Sequence, residues 1–157
     1  MDLEDRLERA ENVEKIRNLK ARYCDLCDDG YDADGLCDLF TEDGVWDGGS
    51  LGVFEGRENL HNFFSKLPET LSLAIHHVTN SSILISDDGL SAEARWYLIQ
   101  MATLKRGNQA VWLTGRYVDQ IVLREGSWNF RHVSLKARFF SPYDKGWAEV
   151  PFMDLAR

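Results

Sequence analysis

The chain has 157 residues, of which 44% are hydrophobic and 28% are charged, an ordinary composition for one globular domain. Its formal net charge of −8 argues against nucleic acid or an anionic membrane as the main partner. No apolar run approaches the roughly 20 residues that a membrane helix needs, and residues 1–15 hold no apolar signal-peptide core. We therefore expect a cytoplasmic protein with a single domain over residues 1–157.

Residues 2–29 predict a first helix, because their apolar side chains recur at spacings of three and four residues. Gly30 is expected to end this helix. Asn12 could cap a break that divides the segment into two helices. Residues 1–12 could equally form an arm that packs on another subunit.

Two shorter helices and two short strands are predicted next. The second helix begins within residues 32–34 and includes Phe40 on its buried side. Strands follow at residues 45–47 and 51–54, separated by a Gly-Gly-Ser turn. A third amphipathic helix then runs to Pro68, which we expect to close it.

The second half of the chain predicts a meander of long antiparallel strands, because short turn sequences separate segments rich in β-branched and aromatic residues. The predicted strands are residues 74–86, 90–105, 110–124 and 127–141. Several are bulky on both faces, so helices should cover one face and another subunit the other. Residues 142–157 form a tail. The predicted fold is α+β, with three N-terminal helices on a strongly curved, mostly antiparallel sheet that forms a cone with an internal pocket.

Four strings resemble the SnoaL-like branch of the nuclear transport factor 2-like superfamily, which includes scytalone dehydratase, bile acid 7α-dehydratase and hexachlorocyclohexane dehydrochlorinase. The strings are Tyr23 with Asp28 five residues later, LFTEDGVWDG at 39–48, HHVTN at 76–80 and KARFFSPYDKGW at 136–147. The resemblance covers residues 16–147. It implies the fold and a branch of the superfamily, but that branch holds lyases, isomerases, cyclases and non-catalytic members.

The resemblance implies a proton-transfer pair formed by Asp28 and His76, with Asp29 as the competing acid. Tyr23 matches the position where the dehydratases place a phenol in the pocket, and Arg138 lies near a late-strand arginine found in some of them. The chain lacks a clear second histidine on the next long strand, which scytalone dehydratase has. This departure counts against the scytalone reaction itself.

The chemistry of such a pair follows from the side chains themselves. A histidine titrates near neutral pH, so it can accept a proton there. A carboxylate that accepts a hydrogen bond from one ring nitrogen fixes the tautomer of the histidine and leaves the other nitrogen as the base. A phenol such as Tyr23 can then donate to a departing oxygen or an enolate. Each of these residues could instead have only a structural role. His76 could be a histidine packed in the core, Asp28 a solvated acid at the end of a helix, and Tyr23 a packing residue.

Further candidates for the pocket come from the strands. Trp46, Phe54, Trp96, Trp112 and Phe139 could line the cavity or only pack the sheet, and alternation cannot distinguish these roles. His132 alternates in phase with Trp128 and Phe130, which would turn it towards the pocket. Arg138 could bind a substrate carboxylate or pair with a surface acid, and His77 should face away from His76.

No metal or cofactor site is predicted. Cys24 and Cys27 resemble half a zinc site without a second pair, and with Cys37 they are interpreted as free thiols. The acids between Asp28 and Asp34 do not have the spacing of a calcium loop. No phosphate loop, dinucleotide glycine pattern or serine elbow is present.

These patterns lead to one main functional hypothesis and one alternative. The main hypothesis is a cofactor-independent, dehydratase-like lyase or isomerase that uses His76, Asp28 and Tyr23 on a hydrophobic cyclic small molecule. The alternative is a non-catalytic ligand-binding or oxygenase-associated subunit of the same fold. We expect a homodimer or homotrimer formed through the outer sheet face.

Overall fold

The structure is a computed structural model that describes residues 2–154. Residue 1 of the predicted arm and residues 155–157 of the predicted tail lie outside the described residues. The elements in chain order are α1 (Leu3–Asp28), α2 (Ala33–Asp38), β1 (Phe40–Asp47), β2 (Val53–Glu55), α3 (Arg57–Thr70), β3 (Leu71–Ile85), β4 (Ser91–Leu104), β5 (Gln109–Arg124), β6 (Ser127–Pro142) and α4 (Gly146–Glu149). The α+β prediction is confirmed, and each of the four predicted long strands is present with ends shifted by a few residues.

The six strands form one open sheet in the order β2-β1-β6-β5-β4-β3. Every neighbouring pair is antiparallel except β1 and β6, which run parallel. The inner face of the sheet carries the core, in which α1 and α3 supply apolar side chains such as Ile16 and Phe64. The outer face leaves large apolar side chains such as Tyr97 and Ile99 exposed.

Helix α1 is continuous, so the alternative in which Asn12 caps a break between two helices is wrong. Asp2 caps the helix, and its side chain and that of Asp5 accept each other's backbone N–H in a capping box. Asn12 is instead a buried residue in mid-helix whose Oδ1 accepts a hydrogen bond of 3.2 Å from Trp128 Nε1. Residues 2–11 are exposed on every side of the helix.

Three predicted boundaries between α1 and β3 are also corrected. Phe40 begins β1 and pairs with Phe130, so it does not belong to the second helix. Pro68 lies inside α3, which continues to Thr70, because the proline removes only one N–H from the last turn. The second short strand is Val53–Glu55, and Gly49–Leu51 form a 3-10 turn before it.

Four β-bulges bend the long strands and set which side chains face inwards, and the first lies at the start of β3, where Ser72 is an extra residue between Leu71 and Leu73. In β3, Asn80 adopts a φ of 51°, and two residues lie opposite one residue of β4. In β6, Arg131 and Arg138 are each an extra residue, since neither has a partner residue in the pairing of β6 with β5. Each bulge reverses the inward and outward alternation of the residues that follow it.

Candidate active site

A cavity of about 200 Å³ is lined by side chains of α1, α3 and the inner face of the sheet. Its polar lining groups are Tyr23, Tyr31, Thr70, His76, Gln100 and Tyr117. The remaining lining side chains are apolar: Trp46, Leu51, Phe63, Phe64, Leu67, Leu71, Ala102, Leu104, Leu113, Leu135 and Phe140. A few polar groups within a mostly apolar wall are typical of a small-molecule site.

Asp28 and His76 meet at the edge of this cavity. His76 Nδ1 lies 2.6 Å from Asp28 Oδ1, and the His76 backbone N–H donates to both carboxylate oxygens at 3.1 and 3.0 Å. The imidazole side chain is 5% exposed and the Asp28 side chain is 26% exposed. The carboxylate therefore fixes the ring, and Nε2 has no protein hydrogen-bond partner among residues 2–154.

The local fold explains why this carboxylate faces β3. Asp28 is the last residue of α1, and Gly30 follows with a φ of 95° that turns the chain away. A helix C-terminus disfavours a negative charge, and no basic residue occupies the last turn of α1. The N–H donors of His76 offset this penalty. Asp29, the competing acid in the sequence, is the exposed C-cap residue.

Tyr23 and Trp46 form a second buried polar contact. Trp46 Nε1 donates to the Tyr23 hydroxyl at 2.9 Å, and both residues line the cavity. Burial and then the nearby Tyr117 phenol raise the pKa of Tyr23 well above its ordinary value. Tyr23 is therefore a neutral phenol whose oxygen already accepts one hydrogen bond, which leaves its proton available to donate.

Behind the cavity, Lys20 and Asp119 form a fully buried ion pair at 3.0 Å. Trp96 Nε1 donates to the same carboxylate at 2.9 Å. The Lys20 ammonium also lies 3.5 Å from the centroid of the Tyr117 ring, a cation–π contact. Burial raises the pKa of Asp119, and the adjacent Lys20 charge opposes that rise. The pair thus holds the wall behind Tyr117 in place.

Most of the aromatic candidates do not line the cavity. Trp46 does, but Phe54 stacks behind it on Phe63 with ring centroids 4.1 Å apart. Trp96 is buried against Asp119, and Trp112 faces outwards, where it stacks with Tyr143. Phe139 also faces outwards and stacks on Trp147 of the tail. Trp96 and Phe54 pack in the core, and Trp112 and Phe139 pack on the outer face. The lining positions of β4 and β5 are residues such as Gln100 and Leu113.

His132 and Arg138 are also placed away from the cavity, because of the bulges in β6. The predicted phase of His132 with Phe130 is wrong, since the extra residue Arg131 reverses the alternation. The His132 side chain is 35% exposed, and its Nε2 lies 3.9 Å from Asp47 Oδ2. Arg138 is itself the second bulge residue and lies on the outer face beside Tyr97. His77 is exposed on that face, as alternation predicts.

Several residues of the site were not identified from the sequence. Tyr31 lies in the loop between α1 and α2, and Gln100 is a polar residue among apolar strand positions, so neither belongs to a recognisable motif. A signal for Lys20 did exist, because it falls four residues after Ile16 and three before Tyr23 on the apolar face of α1. A charge at such a position predicts a buried partner.

The structure agrees with the interpretation of the cysteines. Cys24, Cys27 and Cys37 are all buried and free. Within residues 2–154, no cluster of His, Cys, Asp and Glu side chains is arranged to hold a metal ion.

No helix within residues 2–154 is long and apolar enough to cross a membrane.

Comparisons with known proteins give a family and a set of similar folds. The SnoaL-like domain matches residues 8–134. No curated protein sequence matches the chain. A hexachlorocyclohexane dehydrochlorinase is similar in structure, with a TM-score of 0.80, 19% identity and coverage of 87% of this chain and 91% of that chain.

Two proteins from Novosphingobium aromaticivorans are also similar. One is provisionally named a scytalone dehydratase and has a TM-score of 0.79 at 19% identity, with 86% of this chain and 89% of that chain covered. The other is provisionally named an aromatic ring hydroxylase and has a TM-score of 0.75 at 28% identity, with 90% and 95% covered. The likeness at 19% identity shows a shared fold.

Proposed function

The chain belongs to the SnoaL-like family, and from the contact of Asp28 with His76 we propose that it is a cofactor-independent lyase or isomerase. Its substrate is a hydrophobic cyclic small molecule that occupies the cavity. The observation that carries this proposal is the 2.6 Å contact between Asp28 Oδ1 and His76 Nδ1 at an apolar pocket. A packing role for His76 would need no carboxylate on its ring.

In this mechanism His76 is the general base. Asp28 accepts a hydrogen bond from Nδ1–H of His76, which keeps that proton on Nδ1 and leaves the Nε2 lone pair free to take a proton from carbon. The same carboxylate then stabilises the imidazolium that forms. Tyr23 donates a hydrogen bond or a proton to the oxygen that gains negative charge, in the manner of an oxyanion-stabilising group. General acid–base help of this kind contributes about 10²- to 10⁴-fold to the rate.

The names of two structural neighbours support elimination chemistry as the reaction type. One is a dehydrochlorinase and the other is provisionally a dehydratase. Removal of HCl or of water from neighbouring carbon atoms requires loss of a proton from carbon together with a leaving group. An Asp–His pair beside a phenol supplies the base and the donor that such a reaction uses.

The test is deuterium exchange into a carbon acid that fits an apolar pocket. We would incubate 1-tetralone with the protein in D₂O and follow exchange at the carbon next to the carbonyl by mass spectrometry. The wild type should exceed the buffer rate, and His76→Gln should lose at least about 100-fold of the enzymatic rate. His77→Gln is the matched control, because the neighbouring histidine is exposed on the other face. Equal exchange rates for His76→Gln and His77→Gln would contradict the mechanism.

A non-catalytic ligand-binding or oxygenase-associated subunit is the second candidate. The neighbour provisionally named an aromatic ring hydroxylase favours it, because that protein is 28% identical over most of both chains. The same experiment separates the two candidates. Binding of 1-tetralone with exchange no faster than in buffer would favour the non-catalytic subunit.

A further inference from the structure

The outer face of the sheet carries a cluster of positive charge in a chain whose formal net charge is −8. Arg116 of β5 pairs directly with Lys136 of β6, so the two cations lie side by side on one face. Arg138, the second bulge residue of β6, lies beside Tyr97 and Ile99 on the same face. None of the three cations forms an ion pair with any residue that the structure describes. Like charges directly opposite each other destabilise a sheet, so this cluster favours an anionic partner.

The cations border an exposed apolar surface. Arg116 Nη2 donates to the Tyr97 hydroxyl at 2.9 Å, and the guanidinium carbon lies 4.9 Å from the centroid of the Tyr97 ring. The side chains of Tyr97 and Ile99 are both exposed. We call these two residues and the three cations the basic face. It offers a partner an apolar centre with positive charge around it.

The complementary surface is the N-terminal arm, residues 2–11 of α1. This segment holds five acids and two arginines. Leu3 and Leu7 lie four residues apart, so they share one side of the helix, and they are 77% and 58% exposed. Glu8 and Glu11 lie on the adjacent side and form no ion pair with a described residue. The arm thus presents an apolar stripe beside a row of negative charge.

The arm cannot reach the basic face of its own chain. Helix α1 is unbroken, and its next residues pack on the inner side of the sheet, where Asn12 accepts a hydrogen bond from Trp128 and Ile16 joins the core. Arg9 Nη2 donates to the carbonyl oxygen of Ile85 at 2.7 Å, which holds the arm at the end of β3. A helix anchored in this way cannot turn around the sheet edge. An arm that covers a basic face must therefore come from another copy.

We propose that the N-terminal arm of one copy docks on the basic face of a second copy. The exposed leucines of the arm pack against Tyr97 and Ile99, and its glutamates lie beside the three cations. A helical arm of this length spans about 15 Å, enough to cover side chains on three adjacent strands that are about 5 Å apart. Exchange of arms between two copies gives a dimer, and arms passed around a ring give a trimer. Direct contact of two basic faces is disfavoured, because it brings like charges together.

The test reverses the charge of each surface in the full-length protein and measures association by sedimentation velocity at micromolar concentration. The arm variant is Glu8→Lys/Glu11→Lys, and the face variant is Lys136→Glu/Arg138→Glu. Each should weaken association at least about tenfold, because like charges then meet. Salt at about 1 M should weaken association of the wild type several-fold, since it screens exposed charges. All four residues are exposed, so circular dichroism should show folded variants.

A chain that carries both sets of changes distinguishes a direct contact from a general effect of charge. Its arm is positive and its face negative, so association should return to within about threefold of the wild type. Glu58→Lys/Glu69→Lys is the matched control, because it makes the same change of charge at exposed positions of α3 and should leave association unchanged.

Three results would overturn the assignment of the arm to the basic face. They are a monomeric wild type, unchanged association in the arm or the face variant, and a combined chain that associates as weakly as either variant alone. Where one variant does not fold, the other variant and the salt dependence decide. The outcome is independent of the proposed function, which deuterium exchange tests separately.

Discussion

Asp28 accepts hydrogen bonds from both the backbone and the ring of His76, a residue 48 positions away in the chain. The two backbone contacts place the carboxylate, and the contact to Nδ1 sets the orientation of the imidazole. The last turn of α1 and the inner face of β3 are thus joined at one point of the cavity wall. This contact is geometrically suited to general-base chemistry at Nε2, and the predictions below test it and its surroundings.

Trp46→Phe should slow deuterium exchange about tenfold, because the indole N–H that orients the Tyr23 hydroxyl is lost. Tyr23→Phe should be slower still, and the double variant should be no slower than Tyr23→Phe alone, since both changes act through one hydroxyl. Trp112→Phe is the control, as this indole faces outwards. Additive effects of the Tyr23 and Trp46 changes would show that Trp46 does not act through Tyr23.

Lys20→Met should destabilise the protein by about 3–5 kcal/mol, because it leaves the buried Asp119 carboxylate without its counter-charge. The double variant Lys20→Met/Asp119→Leu should recover much of this loss, since no charge then remains buried. Urea denaturation monitored by circular dichroism measures both free energies of unfolding. A double variant as unstable as the sum of its single changes would contradict the proposed pairing.

The free energy of unfolding should fall as the pH rises above about 9, in part because of Cys24. Burial raises the pKa of this thiol from 9.0 to about 11. The folded state therefore keeps the proton while the unfolded state releases it, so this contribution is complete below pH 9 and lost towards pH 11. The loss is about 3 kcal/mol for a pKa difference of two units. Cys24→Ala should flatten the decline by that amount, and an unchanged slope would refute the prediction.

We also propose that the outer sheet face joins copies of the chain into a homodimer or homotrimer. The exposed side chains of Tyr97 and Ile99 on this face support the proposal. Ile99→Asp should yield monomers in sedimentation at micromolar concentration, because a buried, unpaired carboxylate is costly at an interface. Val53→Asp is the control, since this exposed residue lies on the short edge strand β2. A monomeric wild type would contradict the proposal.

The sequence was sufficient to predict the long strands and part of the candidate site. Helical spacing places Tyr23 and Asp28 at the end of α1, and alternation separates His76 from His77. The contact between Asp28 and His76 was expected only from a family resemblance, because periodicity within each element contains no information on which elements meet.

The errors in the sequence interpretation have local physical causes. The bulges at Arg131 and Arg138 depend on pairing with β5, so the alternation of β6 could not reveal that His132 would turn outwards. A close approach at Gly115 accompanies the second bulge, where an added Cβ would lie 2.7 Å from the Lys136 carbonyl oxygen. The positive φ of Tyr31 likewise depends on tertiary contacts.

The most direct test of the account compares Asp28→Asn with Asp29→Asn in deuterium exchange of 1-tetralone. Asp28→Asn preserves the shape of the side chain but removes its negative charge and replaces one acceptor oxygen with an NH₂ donor. The side chain can then hold the wrong His76 tautomer and cannot stabilise the imidazolium as a carboxylate does, so the enzymatic rate should fall by about 10²- to 10⁴-fold. Asp29→Asn changes an exposed helix-cap residue and should keep the wild-type rate. Equal rates for Asp28→Asn and the wild type would contradict the proposal that Asp28 and His76 form the catalytic pair.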